Sequence, residues 1–548
     1  MPYLEESKRT VRAGDRAAGP VHPRKSIDIT VKVRRKPRLP PLDGSRKAYL
    51  CLDQLESRYG ASNADINAVS KAFVARGLEL VKADPATRSV QFRASAHTME
   101  DAFNTKLVRY EDGVDPDRTY HGRVRRVYIP DSLGKVVVGV FGLDNRRVTK
   151  LPSIASGSRP SRSGYLPAHL AERYRFPPGD GAGQSIGLLE FDGKFLPDDL
   201  ATFCGRVAKL KAMPNVVEVR VNGVVPRDNE DTEEVMLDAE IVAGFCPKAT
   251  IPIYFSTNTE KGWVDALDAA VHDRENRPSV LSISWGRVEE EWTTQAMRQI
   301  NETLHEAAWL GITVCVSSGD DGSGDMERDG YLHVNFPASS PYVLAVGGTM
   351  LGQRREVVWN ERGGLRENFG GSSGGGISMF FDRPKWQHRL SVEQENPDGI
   401  RGRCVPDVAA AAAMDTGYKL VIQGEKRVGR GGTSASAPLW AALIARINAK
   451  LGWRVGYLTP VLYQSPPGRR KSVGAIVCND IRKGNNKTVP VGGYHARPGY
   501  DLTTGWGSPI GSRLLKAMKA LGPSEVGGRA RKTRGHTRSG SGSRTVQS

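Results

Sequence analysis

Polar and apolar positions alternate along IDITVKVRR, Ile27 to Arg35, with the period of a half-buried strand. ASNADINAVSKAFVARG, from Ala61, instead repeats its apolar residues at helical spacing. VQFRAS predicts a second strand, HTMEDAFNT a second helix, and RRVYIPDSLGKVVVGVFGLD closes the region. Strands and helices interleave from residue 26 to 148, which predicts a compact α/β domain. The residues before it, 1–25, are polar and predict a flexible basic N-terminus.

LPSIASGSRPSRSGYLP then breaks the pattern with serine, glycine, proline and arginine, so residues 149–164 read as an exposed linker open to proteolysis. Beyond it QSIGLLEF, ATIPIYF, SVLSISW, ITVCVSSG and YVLAVGG are apolar strands separated by helical stretches. That order predicts a second α/β domain over 165–523, a parallel sheet covered by helices on both faces. The tail from Ser524 is basic and poor in apolar residues, which predicts disorder over 524–548.

A chain of 548 residues has room for both domains. Its net charge of +18 hints at nucleic acid until it is mapped. Residues 1–160 hold 30 Lys and Arg against 18 Asp and Glu, and residues 524–548 hold 6 against 1. The stretch between them holds 42 against 41, so no basic groove is expected across the main domain and no nucleic-acid partner. No apolar run reaches membrane-spanning length, and MPYLEESKRT lacks the apolar core of a secretory signal. The six cysteines are scattered without metal-ligand spacing and are expected as free, mostly buried thiols.

GGTSASAPLW, Gly431 to Trp440, places Ser434 at the start of the apolar helix PLWAALIARINAKLG. Unpaired N–H groups and the positive end of the helix dipole gather there, where a serine attacks with donors at hand for the oxyanion. Thr433 or Ser434 as a plain helix cap fits the same stretch, and Pro438 is expected to be harmless so near a helix start. No histidine sits where a base is usually held; His272 and His305 lie on ordinary amphipathic stretches. NEDTEEVMLDAEIVAGFCP instead carries six carboxylates and no Lys or Arg before Lys248. Glu234 and Asp238 share a helix face, where burial and mutual repulsion would raise a carboxyl pKa and make an acid-range base. A solvated acidic face is the competing reading.

GGTSASAP together with EVMLD resembles the sedolisins, the serine-carboxyl peptidases, and within them their kumamolisin-like branch. The resemblance runs from the strand at Ile27 to about Gly522. It implies a subtilisin-like α/β fold, a parallel sheet flanked by helices, preceded by a ferredoxin-like inhibitory prodomain. Residue by residue it implies Ser434 as nucleophile, Glu234 as general base and Asp238 as its partner. In VSSGDDGSGD it implies Asp320 as the oxyanion-hole residue, which must be protonated to donate. Glu190 in GLLEFDG and Trp285 in SISWG resemble an extended proton network, although both could be structural. SISWG and GGSSGGGIS resemble the two walls of a substrate cleft.

The C-terminal CNDIRKGNN and ARPGYDLTTGWGSP resemble the family's calcium region. One Ca²⁺ is implied, held by the side chains of Asp480 and Asp501 and the carbonyls of Ile481, Arg497 and Gly499. Arg497 departs from the branch's glycine and adds a positive charge beside the site. The resemblance implies an acid-acting endopeptidase, made as a zymogen that cleaves its own linker. Its partners would be protein and peptide substrates and its own prodomain; a monomer outside the cell is expected, despite the missing signal peptide. Two alternatives stay open at this point: a catalytically silent binding scaffold and a histidine-based hydrolase.

Overall fold

The computed structural model describes residues 3–42, 49–149 and 164–523, apart from residues 114, 116, 117, 328, 353, 354, 362–369, 393–400, 489 and 490. The expected disordered tail, 524–548, and the linker interior, 150–163, lie outside the described residues.

The first domain contains strands β1 (Arg16–Pro20), β2 (Ser26–Val33), β3 (Glu79–Asp84), β4 (Ser89–Ser95), β5 (Leu107–Glu111), β6 (Thr119–Arg123) and β7 (Val137–Phe141). Its helices are α1 (Leu52–Tyr59), α2 (Asn63–Val74) and α3 (Ala96–Ala102). β3, β4, β2 and β7 pair antiparallel in that order, which is the ferredoxin-like arrangement of two βαβ halves. Ser62 starts α2 by accepting the Asp65 N–H, and Ser95 starts α3 by accepting the Thr98 N–H. Ile66, Val69 and Phe73 point from α2 into a core with Ile29, Val31 and Phe92. β1, β5 and β6 form a separate three-stranded sheet that the apolar pattern did not reveal, because much of it is exposed.

The expectation of a loose N-terminus is overturned. Arg9 is buried between Asp144 and Glu260, and Arg12 reaches Glu291. Each guanidinium sits against carboxylates, and that pairing rather than apolar burial orders the segment. Polarity alone had pointed to solvent.

In the second domain the main sheet consists of β8 (Ile186–Glu190), β9 (Asn215–Arg220), β10 (Thr250–Phe255), β11 (Val280–Ile283), β12 (Thr313–Ser317), β13 (Leu344–Leu351), β14 (Glu356–Val358) and β15 (Val408–Ala411). The order is β9-β10-β8-β11-β12-β13-β14, with β15 also on β13, and every pair is parallel except β13–β14. Helices α4 (Thr232–Phe245), α5 (Glu260–Val271), α6 (Thr294–Trp309) and α7 (Thr433–Leu451) cover it. Alternation along each strand decides the faces: Leu188 and Ile253 join α4 and α7 in one core, while Leu189 and Tyr254 join α5 and α6 in the other. Two covered faces explain why these strands read as continuous apolar runs.

The first domain packs across α5 and α6. Gln295 exchanges hydrogen bonds with the Val140 backbone at 3.0 and 3.3 Å. Lys32, fully buried, meets Asp268 at 2.6 Å, Thr30 donates to Asp265, and Arg35 reaches Glu302 and Glu306. Lys32→Ala leaves Asp268 buried without its cation. The full-length chain is expected to lose about 3–5 kcal/mol of docked-state stability, read as an earlier urea transition at neutral pH.

Candidate active site

The N-terminus of α7 is built around Gly432, whose φ is +92°; a Cβ there would lie 2.4 Å from Asp320 Oδ2. Asp320 follows β12 and accepts the Thr433 N–H at 2.6 Å and the Thr433 hydroxyl at 2.5 Å. A carboxylate from another loop therefore does the capping at the positive end of the helix. This corrects the reading of Thr433 or Ser434 as a plain cap. Ser434 instead donates its Oγ–H to the Ser284 carbonyl at 3.3 Å, and it is 5% exposed.

Pro438 is also not where it was expected to be harmless. α7 begins at Thr433, so the proline sits inside the helix, where its missing N–H would have met the Ser434 carbonyl. The Ser284 hydroxyl lies 3.1 Å from that carbonyl. It is also 2.8 Å from both carboxyl oxygens of Asp238.

α4 packs against α7 and carries Glu234 and Asp238 on its inner side. Glu234 is buried and Asp238 is fully buried, so the solvated acidic face is ruled out for this pair. Asp238 is pushed well above the usual carboxyl range, first by burial and then by the nearby Glu190, while the Ser284 hydroxyl works against the rise. Glu190, at the end of β8, is raised as well, chiefly by burial. The Trp285 indole donates to its Oε2 at 2.9 Å and holds the rise back, and Glu234 and Asp231 add to it. The structure thus brings Glu190, Trp285, Glu234 and Asp238 into one buried group. Hydrogen bonds through Ser284 join that group to Ser434, and Asp320 stands at the same helix end.

Ser284 escaped the sequence analysis, although SISWG was singled out for its tryptophan. The available signal was Pro438, which predicts an orphaned Ser434 carbonyl once the helix start is known. His272 pairs with Glu306 at 2.6 Å, and His305 stacks on Tyr342; both belong to the face that the first domain covers. Buried Glu289, three residues past SISWG, accepts the Oγ–H of Ser378, the last residue of GGSSGGGIS, at 2.6 Å and the Met379 N–H at 2.9 Å.

Near the C-terminus, Asp480 Oδ1 accepts the Gly499 N–H at 3.1 Å, and Asp501 Oδ2 accepts the Arg497 N–H at 3.1 Å. Both carboxylates therefore reach the 497–501 turn. Asp501 Oδ1 is fully engaged by Thr503 and Thr504, and Arg482 meets Asp480 at 2.7 Å. Among the described residues no three His, Cys, Asp or Glu side chains group to hold a metal. A site here would need backbone carbonyls, which is the donor set that the sequence implied. All six cysteines are free, with Cys51 exposed and the others buried.

Residues 41–146 match the pro-kumamolisin activation domain, and residues 222–471 match the subtilase family. Kumamolisin from Bacillus sp. (strain MN-32) is 40% identical, over 94% of this chain and 97% of that protein. The chain belongs to the sedolisin family. It is a serine-type peptidase carrying a kumamolisin-type activation prodomain, and hence a zymogen of that family. Tripeptidyl-peptidase sed5 of Aspergillus fumigatus is a more distant relative, 29% identical over 95% of this chain and 98% of that protein. Among solved structures, Pseudomonas sedolisin complexed with two molecules of pseudo-iodotyrostatin aligns at a TM-score of 0.57 and 27% identity. It covers 67% of this chain and 100% of its own. Protein or peptide substrates and the chain's own prodomain are therefore its partners. Among the described residues no helix is long and apolar enough to cross a membrane.

The raised carboxyls give this chain's stability a pH dependence. A carboxyl whose folded pKa is raised stabilises the fold below its unfolded value, about 4, and loses that contribution as pH rises through the folded value. In the chain carrying Ser434→Ala, the melting temperature is expected to fall as pH rises from about 4 toward neutral. Glu190→Gln removes one charge beside Asp238, and its melting curve should fall less over the same range. Parallel curves for the two chains would contradict the assignment.

Proposed function

We propose that the chain is an acid-acting serine endopeptidase in which Ser434 is the nucleophile, Glu234 the general base and Asp238 its partner. The observation that carries this reading is the buried, raised carboxyl pair, Asp238 and Glu190, joined through Ser284 to Ser434 at a helix N-terminus. Glu234 takes the Ser434 proton as Oγ attacks the scissile carbonyl, and then returns it to the leaving amine; water resolves the acyl-enzyme. Asp320, which caps Thr433 through Oδ1, is taken as the oxyanion-hole residue beside Ser434. An imidazole base would be protonated and idle in acid.

Processing is assigned to the linker, residues 149–164. Its first residue, Thr149, is clamped by Asn258, which accepts its N–H at 3.0 Å and donates to its carbonyl at 2.8 Å. Tyr165, just past its end, pairs with Gly417 and Lys419. Upstream, Arg147 meets Asp231 at 2.5 Å and Asp192 at 3.4 Å. Burial raises both of these carboxyls, so they protonate before ordinary ones as pH falls and loosen Arg147 first. Glu306, although buried, is held well below the usual range by Arg35, His272 and Arg88, so its contacts persist to lower pH. Release of the basic prodomain is thereby graded by acid.

The full-length Ser434→Ala chain is expected to stay intact when acidified, while the unmodified chain yields a new N-terminus within 149–164, read by N-terminal sequencing. Glu234→Gln should slow processing by at least about a thousandfold. Normal processing by either variant would reject the triad, and activity surviving Glu234→Gln with a neutral optimum would favour a histidine base. Full-length wild-type chain without casein hydrolysis in acid would favour a silent scaffold.

We assign one Ca²⁺ to Asp480, Asp501 and the carbonyls of Ile481, Arg497 and Gly499. This all-oxygen set suits a hard cation, with the Arg482 pair on Asp480 as its competitor. Bound there, the ion would join two C-terminal loops and stabilise them. Chelation by EDTA is expected to lower the melting temperature of the Ser434→Ala chain by about 5 °C, restored by calcium and not by magnesium. The same chain carrying Asp501→Ala should show no response to either ion. The enzyme is taken to act as a monomer outside the cell.

A further inference from the structure

Pro438 removes from α7 the N–H that would have paired with the Ser434 carbonyl, and its ring crowds that oxygen away from the helix. A buried carbonyl without a donor costs free energy, so something must satisfy it. The group that does so is the Ser284 hydroxyl, 97% buried, 3.1 Å away. The same hydroxyl stands 2.8 Å from each oxygen of Asp238, and the Ser284 carbonyl in turn accepts the Ser434 Oγ–H at 3.3 Å. One hydroxyl hydrogen is therefore claimed by two acceptors.

We infer that Ser284 is a positioning residue that couples the protonation of Asp238 to the backbone of the nucleophile Ser434. This rests on the serine-carboxyl reading given above. With Asp238 ionised, the Ser284 O–H turns to the carboxylate, and the Ser434 carbonyl loses its donor. With Asp238 protonated, the carboxyl O–H donates to Ser284 Oγ, and the Ser284 O–H is free to donate to Ser434. No proton is gained or lost at Ser284; its hydrogen only changes partner. The groups facing Asp238 are Glu190 from β8, which favours the protonated arrangement and is held by Trp285 after β11, and Glu234 one turn up its own helix, which acts on Glu190 in the same sense. In acid the nucleophile's first helical turn is thus fully bonded, and as pH rises it comes undone.

The test is peptide hydrolysis by matured wild type, Ser284→Ala and Ser284→Thr across pH, with self-processing of the full-length chains as a second measure. Ser284→Ala is expected to lower kcat between about ten- and a hundredfold with KM within about twofold. It also cuts Asp238 off from the Ser434 carbonyl, so the alkaline limb of kcat/KM that follows Asp238 should give way to one at higher pH. Ser284→Thr keeps the hydroxyl and should restore both kcat and the limb. If Ser284→Ala fails to mature, Ser284→Cys, close in volume with a weak donor, is expected to behave as Ala does. Wild-type kcat and limb in Ser284→Ala overturn the inference. So does a fall in kcat with an unmoved limb, which marks packing alone, or a Thr variant as impaired as Ala. Processing by Ser434→Ala would instead overturn the underlying triad, which separates the two failures.

Discussion

The candidate site depends on burying carboxyl groups without cations. α4 carries Glu234, Asp238 and Glu240 inward, and burial drives the last of these up to about 9. Each oxygen that enters such a core needs a donor, or must hold a proton itself. The fold supplies neutral donors: the Ser284 hydroxyl, the Trp285 indole and the Val421 N–H. Neutral donors leave the carboxyls raised, whereas an arginine would have fixed them as anions. The site therefore keeps titratable carboxyls beside Ser434, which ion pairing would have forbidden.

The opposite solution governs the contact between the domains. There Lys32, Arg35, Arg88, Arg9 and Arg12 meet Asp268, Glu302, Glu306, Glu260 and Glu291 in paired, largely buried contacts. One protein thus holds two carboxyl populations, one pushed toward the neutral form by burial with only neutral donors at hand and one kept ionised by cations. The second explains why the basic excess of residues 1–160 does not imply nucleic acid. Much of that charge has an intramolecular partner.

Much of the fold was legible because the apolar pattern carries it. The strand stretches at Ile186, Thr250, Val280, Thr313 and Leu344 are buried on both faces, and each shows as an apolar run. Asn215–Arg220 escaped notice because it is an edge strand, half exposed and with charges interspersed. The N-terminal segment was misread because ion pairs order it, and pairing between distant residues leaves no periodic trace. At the site, Ser434, Glu234, Asp238 and Asp320 were found through a family resemblance, on motifs whose local chemistry left other readings open. Ser284 and the capping role of Asp320 were not legible, since each depends on which loop lies against the start of α7.

The proline inside that helix ties these levels together. A helix that begins GGTSASAP could have kept its backbone bonds with any other residue at 438, and it would then have had no need of a hydroxyl from the loop after β11. By deleting one N–H, the sequence moves the bonding of the Ser434 carbonyl out of the helix and into the carboxyl cluster. The loss is local and costs roughly one hydrogen bond's worth of helix stability. Through the coupling inferred for Ser284, the placement of Ser434 would then respond to whether Asp238 is charged. A backbone satisfied within its own helix has no such dependence. On the proposed reading, acid would then act twice: once at the carboxyl base proposed for Ser434, and once at the backbone that presents it.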